Sequence, residues 1–193
     1  MLNPGWLAGH RPFTIALNKA IYGKKTMSKS PSAVASIALT AALLSSAASA
    51  DTFAYVANAD SHDISVFRVE PSSGKTDAVE TVPFSGEERA GSSTPLAVSP
   101  DKRLLFAGVR ADPFVALSFA IDAKSGRLSY RGRGPLADSM ANIATDRSGK
   151  FLFSASYGGN KIAVNPIGAD GVVGAPTQVI PTGLNAHAFL PSG

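Results

Sequence analysis

The chain has 193 residues, with 18 lysines and arginines against 14 aspartates and glutamates, and no cysteine. That length suits one domain, and the lack of cysteine excludes disulfides, zinc–thiolate sites and thiol nucleophiles. The formal charge of +4 is unevenly placed: residues 1–50 hold Arg11, Lys19, Lys24, Lys25 and Lys29 and no acid, which leaves 13 basic and 14 acidic residues beyond them. The high isoelectric point therefore belongs to the N-terminal stretch. No basic cluster with interleaved aromatics follows it, so no nucleic-acid partner is expected.

The first element in chain order is a leader. Residues 27–50, MSKSPSAVASIALTAALLSSAASA, read as a secretory signal peptide. Lys29 supplies the positive start, 33–44 form an uncharged apolar run, and Ala48-Ser49-Ala50 make a small-x-small cleavage site before Asp51. The apolar run falls short of the roughly 20 residues of a membrane span. The expectation is a periplasmic or secreted protein with no stable membrane span after cleavage; the alternative is an uncleaved anchor. Residues 1–26 show no apolar periodicity, and Met27 offers a second start, so 1–26 are expected to be an over-extended start.

Three segments of the remainder resemble one another: 52–75, 103–127 and 150–171, with starts 51 and 47 residues apart. In each, an alternating β-rich run such as Phe53-Ala-Tyr-Val56 is followed by a turn and a second apolar run, here 64–69. The turns are Asp60-Ser-His-Asp63 in the first unit and Gly158-Gly159-Asn160 in the third, the latter a strong hairpin signal. Ser73-Gly74, Ser125-Gly126 and Asp170-Gly171 mark the next turn at matching positions. Short additional strands precede the second and third units at 95–101 and 142–146, and 128–131 reads as an outer strand. Four strands repeated every 40–50 residues are the signature of β-propeller blades. The expected fold is all-β, with blades at about 52–90, 91–138 and 139–183 and the start of a fourth at 184–193. The first blade opens on its second strand, and Ala186-His187-Ala-Phe-Leu190 resembles the inner strand of the fourth. Rings begin at about four blades. The expectation is thus a fragment of a longer propeller, and the alternative a small β protein of its own.

The runs Pro95-Leu-Ala-Val-Ser-Pro-Asp-Lys-Arg103, Leu104-Leu-Phe-Ala-Gly-Val-Arg110, Phe151-Leu-Phe-Ser-Ala-Ser-Tyr157 and Gly183-Leu-Asn-Ala-His-Ala-Phe189 resemble the bacterial β-propeller 6-phosphogluconolactonases. The likeness extends over about 52–193 and implies a seven-bladed full-length fold. It implies hydrolysis of a sugar δ-lactone to its aldonic acid at the central channel, without a redox cofactor. His187 matches the family's proposed catalytic histidine, Arg110 the arginine of its Gly-Val-Arg stretch, and Tyr157 the tyrosine of its Ser-Tyr stretch. The export signal departs from a cytosolic pentose-phosphate role, so unphosphorylated gluconolactone or another lactone enters as a substrate. The alternatives are a non-catalytic binding or scaffold propeller, or a gene remnant.

Lactone opening needs a base for water, stabilisation of the oxyanion and a hold on the polar substrate. An imidazole suits the base, and His187 is the candidate; its alternative is a structural histidine bonded to neighbouring backbone. Arg110 is the candidate for binding a phosphate or carboxylate, against a surface arginine paired with Asp112. Tyr157 could donate to a sugar hydroxyl, against packing between blades. Asn58, Asp60 and His62 faintly resemble a metal loop, but a solvated hairpin tip explains them better, so no metal is expected. The motifs G-x-S-x-G, H-E-x-x-H, Walker A and G-x-G-x-x-G are absent from the sequence.

Overall fold

The computed structural model describes residues 51–84, 86, 91 and 93–191. The signal peptide expected at 27–50 and the over-extended start expected at 1–26 lie outside them. Eleven strands, named here in chain order, form three antiparallel sheets among the described residues. The first sheet has the order β1-β2-β3, from Thr52–Asn58, Asp63–Val69 and Thr76–Pro83. The second is β4-β5-β6-β7, from Leu96–Val98, Leu104–Val109, Val115–Ile121 and Leu128–Pro135. The third is β8-β9-β10-β11, from Asn142–Thr145, Phe151–Ser156, Lys161–Pro166 and Gln178–Pro181. Each sheet is a meander, and among the described residues the first has three strands, without the short inner strand that opens the other two.

The turn chemistry fixes these hairpins. Ser99 Oγ accepts from the amides of Arg103 and Leu104 between β4 and β5. Asp146 Oδ1 accepts from Lys150 and Phe151 at the equivalent place between β8 and β9. A short polar side chain that caps its own turn is the usual device for reversing a strand.

The second blade is buried on both faces, and this explains the unbroken apolar runs LLFAGV and VALSFAI. Side chains alternate across a strand. Leu105, Ala107, Val109, Val115, Leu117 and Phe119 therefore pack with Ile64, Val66 and Phe84 of the first blade. Phe106 and Ala116 point the other way and pack with Met140, Ile143, Leu152 and Ala163 toward the third. Polar ties reinforce both joints. Glu80 holds Arg127 at 2.9 Å and the Leu128 amide at 2.7 Å, and Asn165 Nδ2 donates to the carbonyls of Pro135 and Gly174. At the second joint the backbones nearly touch: a Cβ on Gly134 would overlap the carbonyl of Val173.

The segment 184–191, expected to open a fourth blade, forms no strand. A strand requires a ladder partner, and among the described residues none lies beside it. It is nevertheless held against the third blade. Phe189 stacks on Phe153 at 4.4 Å and His187 meets Tyr157 edge-on, so two side chains two residues apart in the segment reach residues of the same parity, four apart, in and just after β9. The Phe189 amide donates to Asn142 Oδ1 at 2.9 Å.

Candidate active site

The strands β1, β5 and β9 run in the same sense within their blades, and the tight turn after each lies at the same end. The turns are closed by the pairs Asn58↔Asp63, Val109↔Val115 and Ser156↔Lys161. The second carries Arg110 and the third carries Tyr157. The sequence candidates thus occupy equivalent corners of successive blades. The Asp60–Asp63 corner of the first blade is a turn in which His62 adopts a left-handed φ of 57°.

Arg110 has the parity of Phe106 and leans toward the third blade. Its Nε donates to Ser139 Oγ at 3.1 Å and its Nη1 to Ser93 Oγ at 2.6 Å. Among the described residues it forms no ion pair with Asp112. Two of its five N–H groups are thus committed to neutral hydroxyls, and the cation keeps donors for an anionic or hydroxylated ligand.

Tyr157 is 45% exposed, not packed between blades. Its ring meets the His187 ring edge-on, with centroids 5.6 Å apart and planes at 84°. Aromatic pairs favour this arrangement, and it orients the imidazole. His187 itself is exposed and sits in the irregular segment. Asn160 Oδ1 accepts from the Asn185 amide at 2.7 Å, which ties that segment to the same turn. Among the described residues no hydrogen bond or ring contact joins Arg110 directly to Tyr157 or His187.

Between the two halves stands a cluster that sequence reasoning missed. Asp138, in the linker entering the third blade, holds Lys161 Nζ at 2.9 Å and accepts from the Ser139 amide at 2.7 Å. Burial opposes the carboxylate. Its bonds to Lys161, the Ser139 amide and Ser156, with the Lys161 charge, outweigh that and hold its pKa below the usual range. Asp138 and Lys161 are 23 residues apart, so only the sheet brings them together, and nothing local in the sequence marks the pair. No group of three or more His, Cys, Asp and Glu suited to a metal ion occurs among the described residues.

Antiparallel meanders in series, one of three strands and two of four, packed face to face, with inner strands touching through Thr145 Oγ1 and the Val98 carbonyl at 3.1 Å, define a β-propeller. The model of the family described as lactonase, 7-bladed beta-propeller, matches residues 84–188, more than half of the chain, and the chain belongs to that family. Over 124 residues it is 41% identical to the 6-phosphogluconolactonase of Pectobacterium carotovorum and 43% identical to that of Yersinia pestis; in each case the match covers 64% of this chain and 35% of the relative. The chain therefore spans about a third of the length of these curated relatives. Among solved structures, a Bacteroides uniformis protein superposes with a TM-score of 0.62 at 24% identity, over 69% of this chain and 38% of that one. The Pseudomonas aeruginosa periplasmic gluconolactonase superposes with a TM-score of 0.52 at 26% identity, over 67% and 37%.

Proposed function

We propose that residues 51–193 supply blades of an exported sugar-lactone hydrolase that opens a δ-lactone of the gluconolactone type, with or without a 6-phosphate, to its aldonic acid. The observation that carries this reading is the edge-on Tyr157–His187 pair at the blade end that also bears Arg110. The 6-phosphogluconolactonase relatives and the periplasmic gluconolactonase support the substrate class. The latter also supports export, with 27–50 as a leader removed before Asp51 and the residues before Met27 outside the translated protein. Blade limits at about 52–90, 91–138 and 139–183, with a fourth starting at 184, complete the proposed organisation.

In this mechanism the His187 imidazole accepts a proton from water as the oxygen adds to the lactone carbonyl. The ring C–O bond then breaks, and the ring oxygen takes up a proton and leaves as a hydroxyl. Tyr157 orients the imidazole and donates to a substrate hydroxyl. Arg110 holds the phosphate or the nascent carboxylate. No redox chemistry enters this reaction.

The test is hydrolysis of δ-gluconolactone and its 6-phosphate by the full chain, above the spontaneous rate. His187→Ala is expected to lower the catalysed rate by about a hundredfold, the lower end of general-base contributions. Equal rates for the two proteins would remove His187 from the chemistry. The exposure of His187 on a segment without a ladder favours one second reading, a propeller that binds sugar acids without turnover. Saturable gluconate binding without hydrolysis would select it.

A further inference from the structure

Arg110 and the Tyr157–His187 pair belong to different blades, yet a site must hold them at a fixed separation. One side chain touches the supports of both. The Asp138 carboxylate holds Lys161 Nζ at 2.9 Å, and Lys161 pairs across the strands with Ser156 to close the turn carrying Tyr157. The tip of that turn rests on the same group: a Cβ on Gly159 would overlap Asp138 Oδ2, and the Gly159 amide donates to Ser156 Oγ at 3.0 Å. On its other side Asp138 Oδ1 caps the Ser139 amide, and Ser139 Oγ receives Arg110 Nε.

We propose that Asp138 is a positioning residue of the candidate site: its carboxylate locks the Tyr157 turn of the third blade to the Ser139 support of Arg110 in the second. The argument is geometric. The carboxylate holds Lys161 at the base of one turn, abuts Gly159 at its tip and fixes the backbone that presents the hydroxyl to Arg110. Hydrogen bonds to a charged acceptor are the stronger kind. The Asp138 and Lys161 side chains are only 22% and 33% exposed, so solvent screens this ion pair less than a surface one. Ser139→Ala should release Arg110 alone, whereas Asp138→Ala should release both halves. The role of the assembled site rests on the lactonase reading; the coupling of the two halves does not.

The experiment is nuclear magnetic resonance on the full chain, following the Arg110 Nε–H and the His187 ring protons, with D-gluconate as the binding probe. Asp138→Ala is expected to shift or broaden both signals and to weaken gluconate about tenfold, the equivalent of one charge-assisted hydrogen bond. Ser139→Ala is expected to move the Arg110 signal and leave His187 in place. A folded Asp138→Ala variant with both signals unmoved would overturn the proposal. Should that variant not fold, an unmoved Arg110 signal in Ser139→Ala would overturn it instead. If the wild-type chain does not bind gluconate, the lactonase reading fails, while the two signals still decide the coupling.

Discussion

The second blade and the segment 184–191 are opposites in how they are held. Phe106, Leu105, Leu117 and Phe119 are fully buried, and neighbours cover both faces of their sheet. Leu184 and Leu190 are 85% and 91% exposed, and the segment is held by two ring contacts and amide bonds to Asn142 and Asn160. Arg110 springs from the rigid region and His187 from the loose one. The difference teaches that the two halves of the candidate site are set by different physics: one by a core on both sides of its sheet, the other by a few contacts on one face of the third blade.

The largest expected effect breaks the comparison from the rigid side. Phe106→Ala empties a position enclosed between two blades and should cost about 3–5 kcal/mol, whereas Leu190→Ala should lie within about 0.5 kcal/mol. Urea unfolding of the two variants checks this contrast, and equal losses would contradict it. Next comes the joint between the second and third blades. Gly134→Ala sets a methyl against the Val173 carbonyl and should cost about 1–3 kcal/mol through the shift it forces, read in the same way.

A smaller effect follows acid. The Asp138 pKa is depressed, so its contribution to stability is complete above the value of a free aspartate, about 3.9. That contribution is lost as the pH falls through the lower folded value. The wild-type melting temperature should therefore fall more below about pH 4 than that of Asp138→Asn, and parallel acid profiles would count against the role of that carboxylate.

The sequence exposed the repeat because the central strands alternate and their turns reuse Gly, Asn and Asp at matching positions. Outer strands were harder. Thr76–Pro83 and Gln178–Pro181 are largely exposed, so the ladder to β2 or β10 fixes them without an apolar pattern. Ladder pairing also decided the segment around His187: its alternation was readable, but alternation without a partner strand forms no β-strand. Arg110 and Tyr157 stood out through family resemblance and their places after strands. Asp138 gave no such signal, because its meaning lies in Lys161, Ser156 and Gly159, which only the fold brings to it.

Amide hydrogen exchange along the full chain tests most directly the contrast between a scaffold fixed by packing and a histidine segment held by a few contacts. The amides of β5 and β6 should exchange slowest, at rates approaching global opening, and those of 184–191 other than the bonded Asn185 and Phe189 amides nearly as fast as free peptide. Protection of 184–191 equal to that of β9 would contradict it.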